Sequence, residues 1–168
     1  MTRDTDLSNR IAALEAEVAS LAAERQILRT MFQYGHAIDS GDEAGWLDCF
    51  IEDGIFDVRR RALAGGTVKP PARCAGRDQL AEFAEAHSRP PLSYHAHTMS
   101  SPKIALEGDS ASVETKFVRV DADRQGAPYV ASFGLYRDRF VPCPDGRWRI
   151  HERIAEVHGR GREPEPQS

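Results

Sequence analysis

The chain has 168 residues, 40% of them hydrophobic and 29% charged, with a net charge of −4. That is one domain's length with enough apolar side chains for a core, and the acidic balance argues against a surface held to nucleic-acid phosphates. No apolar run approaches the roughly 20 residues of a membrane span. The opening Met1 to Asp6 lacks the basic-then-apolar pattern of a secretory leader. Three widely spaced cysteines, Cys49, Cys74 and Cys143, form no Cys-x-x-Cys and suit a reducing compartment, so a cytoplasmic protein is expected.

From Ser8 a helical pattern begins, with Ile11, Leu14, Val18, Leu21 and Leu28 at three- and four-residue spacing and Arg25 interrupting it. It predicts one long helix over 8–39, bent near Gly35. Its first half either packs on its own domain or pairs subunits, as a homodimer or homotrimer. Ser40 and Glu43 have capping-box spacing, which predicts a second helix carrying Trp46, Leu47, Phe50 and Ile51 and ending at Asp53-Gly54. Ile55 to Val58 is a short strand candidate. Arg59 to Arg73 reads as a long loop; its Arg59-Arg60-Arg61 run is a solvated edge, a subunit contact or a clamp for an anionic substrate. Arg77 to His87 reads as a third helix, stopped by Pro90-Pro91. The period then changes to two, and strands are predicted over 94–106, 111–120, 129–140 and 147–157, separated by turns containing Gly with Asp. Helices first and an antiparallel meander afterwards is the α+β pattern, here a curved sheet around a helix with a pocket between them. The tail from Gly159, rich in Gly, Pro and charge, is expected to be disordered.

No P-loop, Gly-x-Gly-x-x-Gly, Gly-x-Ser-x-Gly or His-Glu-x-x-His is present, so no cofactor and no metal is expected. What remains is a set of ionisable groups. Tyr34 and Asp39 lie near the end of the long helix and share a cavity only if that helix ends or bends there; Asp39 could equally help cap the next helix. His95 and His97 are two apart on a strand and point the same way, into a cavity as acid–base groups or elsewhere as surface or core histidines. Asp39 could complete a metal set with them, though nothing requires it. Tyr136 and Asp138 share a strand face, where an aromatic is ordinarily core.

Three stretches, Tyr34 to Gly54, His97 to Ala111 and Tyr136 to Arg153, resemble in order the opening, central hairpin and last hairpin of SnoaL-like proteins. The resemblance covers about residues 25–158 and implies the cone-shaped α+β barrel of the nuclear transport factor 2-like superfamily. It divides the chain into a helical extension over 1–28, a cone domain over 29–158 and a tail over 159–168. Scytalone dehydratase, bile-acid 7α-dehydratase and hexachlorocyclohexane dehydrochlorinase are similar in outline. That likeness implies catalytic roles for Asp39, His97 and Tyr34, with His95 the fallback base, and substrate contacts from His95, Tyr136, Trp46 and Phe56. The implied activity is a cofactor-free dehydratase or isomerase acting on a hydrophobic, oxygenated small molecule. Two features depart from the pattern: 118–123 lacks the second histidine of the fungal dehydratase, and the Arg59 to Arg73 loop is long. The stretch from Trp46 to Arg59 also faintly resembles the β subunits of ring-hydroxylating dioxygenases, which implies a non-catalytic binding or assembly role instead.

Overall fold

The computed structural model describes residues 2–60 and 72–161. Helix α1 (Thr2–Ser40) is one continuous 39-residue helix, about 58 Å long at 1.5 Å per residue. Only its second half is packed on the body. Ile27, Met31, Tyr34 and Ile38 recur at helical spacing and are all buried, so this stripe lies on the sheet. Thr30 Oγ1 donates to the carbonyl of Trp148 and ties the helix to the sheet (2.6 Å). The next helix, α2 (Glu43–Leu47), is capped by Asp42, whose carboxylate accepts from the Gly45 N–H; the Ser40 hydroxyl turns back to the Ala37 carbonyl.

The expected second helix is therefore shorter than its apolar pattern suggested. Phe50 and Ile51 open a strand, β1 (Phe50–Arg60), because Phe50 pairs with Ile150 on the last strand. Arg59 and Arg60 extend that strand instead of starting a loop, and Arg59 donates to Asp57 (2.9 Å). Residues 61–71 of the expected loop lie outside the described residues, and a strand that the pattern did not predict, β2 (Ala72–Ala75), follows them. Helix α3 (Arg77–Ala86) leads to the meander of β3 (His95–Leu106), β4 (Ala111–Ala122), β5 (Pro128–Pro142) and β6 (Trp148–Arg160). The hairpin glycines Gly108, Gly126 and Gly146 all have positive φ, a conformation glycine reaches without a Cβ penalty.

The sheet order is β2-β1-β6-β5-β4-β3, with β1 and β6 parallel and every other pair antiparallel. Register shifts in β1, β3, β4 and β5 mark bulges, which bend strands and help the sheet curl around α1. The fold is α+β, with helices packed against a curved, mostly antiparallel sheet. Gly159 and Arg160 pair with β5, so β6 runs into the segment expected to be a loose tail; residues 162–168 lie outside the described residues.

The core under the sheet is aromatic. Tyr34, Trp46, Phe50, Phe56 and Tyr136 are all buried around one another. Arg153 is buried within this cluster and bonded twice to buried Asp138, Nε to Oδ1 at 2.8 Å and Nη2 to Oδ2 at 2.7 Å. Its guanidinium sits 4.0 Å from the Tyr34 ring centroid and 4.4 Å from that of Tyr136. A buried charge is tolerable when paired and stacked in this way, although Nη1 has no hydrogen-bond partner among the described residues. Burial opposes its charge, but the Asp138 carboxylate outweighs that and holds Arg153 protonated.

Candidate active site

A cavity of about 270 Å³ opens between α1, α3 and the concave face of the sheet. Its floor is apolar, including Tyr34, Ile38, Phe56, Phe83, Phe117 and Tyr136, while Arg60, His87, His97, Arg119 and Ser132 add polar groups. Small-molecule sites have this make-up, a mostly apolar wall with a few convergent polar groups.

Asp39 lies in the last turn of α1, where the helix meets β3. Gly35 permits the close approach: a Cβ there would meet Met99 Cε at 3.2 Å and the His97 carbonyl at 3.4 Å. Both Asp39 oxygens are bound by one residue. Oδ2 accepts the backbone N–H of His97 at 2.8 Å, and Oδ1 lies 2.6 Å from His97 Nδ1. Nδ1 donates in this contact, because the carboxylate has no proton to give, and Nε2 is left as the basic nitrogen at the cavity wall. Burial works to raise the Asp39 pKa, but the two hydrogen bonds from His97 and the charge of the nearby imidazoles outweigh it and hold the carboxyl below its usual range.

Behind the pair lies a cluster of imidazoles. His95 Nε2 is 3.5 Å from Asp39 Oδ1 and 3.2 Å from His87 Nε2. Burial, then the positive charge of Arg119 and the neighbouring rings, lowers His87 to about 4. The same causes lower His95. Asp39, His95 and His97 have donor atoms within 4.8 Å of one another, so two imidazoles and a carboxylate could also hold a metal ion.

Tyr34 lines the cavity floor and is raised above the ordinary phenol range by burial, against the pull of Arg153 and Trp46. The Trp46 indole and the Arg153 guanidinium beside Tyr34 are donors only and cannot accept its phenolic proton. Tyr136 is raised further by burial.

The residues expected from the sequence fall in three places. Tyr34, Phe56, His97 and Tyr136 line the cavity, and Asp39 stands directly behind His97. His95 is not on the wall, because its side chain is enclosed between Asp39 and His87. Trp46 is fully buried, stacked on Phe83 below the cavity, and is not exposed to a ligand. The sequence reading missed His87, Arg119 and Ser132, and offered Arg60 only as part of an arginine run with three alternative roles. Arg119 pairs directly with His97 across β4 and β3, near the stretch where the fungal dehydratase pattern has its second histidine. It is held by Asp121 through Nε at 2.6 Å and Nη2 at 2.9 Å. Only the strand register reveals this neighbour. The one available signal was that Arg119 has the same two-residue phase as the buried Phe117 and Thr115.

A family model for SnoaL-like domains matches residues 19–154. No curated protein sequence matches the chain. Three solved structures from Novosphingobium aromaticivorans illustrate the structural likeness. A protein provisionally assigned as the β subunit of an aromatic-ring-hydroxylating dioxygenase superimposes with a TM-score of 0.71 at 23% identity, covering 86% of this chain and 94% of that one. One provisionally assigned as a scytalone dehydratase gives 0.66 at 19% identity, covering 90% and 99%. An NTF2-like protein with a cystatin-like fold gives 0.65 at 23%, covering 91% and 88%. At these identities the likeness establishes the fold, and no described helix is long and apolar enough to cross a membrane. The matched region is about four-fifths of the sequence and holds every described cavity-lining residue but Ala155 and Val157, and the chain belongs to the family of SnoaL-like domains.

Proposed function

We propose that this protein is a cofactor-free lyase or isomerase that moves a proton on a small, ring-containing, oxygenated substrate. The observation that carries the reading is the Asp39–His97 pair, 2.6 Å apart, at the wall of an otherwise largely apolar cavity. His97 Nε2 takes a proton from a carbon next to a carbonyl. Asp39 holds the imidazole in the required tautomer and stabilises the imidazolium that forms. Tyr34 donates its phenolic hydrogen bond to the enolate oxygen as negative charge develops there. In a dehydration, the imidazolium returns its proton to the departing β-hydroxyl, water leaves and a carbon–carbon double bond forms. In an isomerisation, the proton returns to a different carbon of the same system.

The test uses a cyclic β-hydroxy ketone such as 3-hydroxycyclohexanone, with formation of the conjugated enone followed by its ultraviolet absorbance. His97→Ala and Asp39→Asn should each lower the rate by about 10²–10⁴-fold, with melting temperatures close to that of the parent chain. Undiminished turnover in either variant rejects the dyad. The second reading, a non-catalytic binding or assembly subunit, draws on the likeness to the provisionally assigned dioxygenase β subunit. It predicts no turnover and solubility only with a larger partner, whereas a self-sufficient homo-oligomer favours the enzyme.

A further inference from the structure

The first half of α1 leaves the body of the protein carrying an apolar stripe that no other described residue covers. Leu7, Ile11, Leu14, Val18 and Leu21 are between 47% and 64% exposed. Together with Arg25 they alternate at four and three residues without a break, which is the heptad period of a coiled-coil seam and not the pattern of a lone surface helix. This stripe is one residue out of phase with the Ile27-Met31-Tyr34-Ile38 stripe that packs on the sheet. The helix thus has two apolar faces, one buried and one exposed. The buried one lies on its own sheet. A shallow, mostly apolar groove lined by Ile11, Leu14, Glu15, Val18, Ala19 and Ala22 marks the other face.

We propose that this face is filled by the same face of a second copy, in a parallel two-stranded coiled coil over about residues 7–25. The seam has β-branched Ile11 and Val18 at a and leucine at each d position, Leu7, Leu14 and Leu21, the combination that favours two parallel strands over three. Arg25 at the next a position is a polar seam residue that fixes register. In the parallel alignment Arg10 at g faces Glu15 at e of the partner helix, an opposite-charge pair formed twice by symmetry, and Glu24 and Arg29 repeat the spacing. An antiparallel pair centred on Ala16 would instead set Glu15 and Glu17 against their own copies. A seam this short is marginal in a free peptide. Here the helix is already nucleated by the half that packs on the sheet, which removes the costly step. The second copy's cone then lies at the same end of the shared stalk.

The experiment measures the mass of the full chain in solution by light scattering at micromolar concentration. The expected mass is twice the 18.7 kDa of the chain, falling to a single chain in Leu14→Glu/Val18→Glu. Because that variant could perturb α1, charge reversal at exposed residues gives the second readout. Arg10→Glu and Glu15→Arg should each weaken the dimer by several-fold in dissociation constant, and the two together should restore it. Orientation is read from Leu14→Cys, which should cross-link to residue 14 of its partner on mild oxidation. A monomer, a trimer, a dimer indifferent to the Leu14 and Val18 changes, or the absence of a 14-to-14 link would overturn the proposal.

Discussion

Asp39 commits both carboxylate oxygens to one residue, His97, and so fixes both the backbone and the imidazole of the strand it touches. Those two side chains were legible in the sequence as a helix-end acid and a strand histidine, but their contact was not, since it depends on where α1 crosses β3. His95 shares the strand face of His97 and was the natural fallback base. Its enclosure by His87 and Asp39 is a property of the α3–β3 packing that no spacing shows. At this scale the phenol makes the sharpest prediction. Tyr34→Phe keeps the ring that stacks beneath Arg153 and removes only the hydroxyl proposed to donate to the oxyanion. It should lower kcat by about 10²-fold while leaving KM for the same ketone nearly unchanged. A raised KM with normal kcat would make Tyr34 a ground-state contact instead.

Among the elements, β5 and β6 depend on the Asp138–Arg153 pair, whose side chains are both completely enclosed. Removing one partner leaves the other charged, buried and unpaired, which is far worse than never having had the pair. Asp138→Ala should therefore cost about 3–5 kcal/mol in urea unfolding, and a cost near zero would show that water or another group replaces the carboxylate. The meander was readable because its turns carry glycine at positive φ and its strands alternate. The α2–β1 region was not. Trp46, Leu47, Phe50 and Ile51 satisfy a helical spacing, yet Phe50 is claimed by parallel pairing with Ile150, a partner a hundred residues away. Tertiary pairing overrode the local pattern there. The long helix was legible over 8–39, though not its first turns from Thr2, and the phase shift between its two stripes became meaningful only when the sheet was seen to cover one of them.

Across the whole molecule, the site builds in a pH dependence of stability. His87 takes up a proton only near pH 4 in the folded state, against 6.5 when unfolded. Between those values the unfolded chain binds more protons, so stability must fall as the pH is lowered from 6.5 toward 4. His95 acts in the same direction. Asp39 adds a further loss lower down: its folded pKa is depressed below 3.8, so its contribution is present above that value and disappears as the pH falls through the folded pKa. Urea midpoints measured across this range should drop with acid, and His87→Gln should flatten the slope between pH 6.5 and 4. An unchanged slope would place the acid sensitivity elsewhere.

The proton chemistry proposed for the cavity needs His97 to carry its hydrogen on Nδ1 and leave Nε2 open. Nitrogen-15 NMR of the imidazole at pH 8, where histidine is ordinarily neutral, reads that directly. The expected result is a protonated Nδ1 with a solvent-protected N–H signal that vanishes in Asp39→Asn, and an Nε2 without a proton. A proton on Nε2, or a spectrum indifferent to the loss of the Asp39 carboxylate, would contradict it.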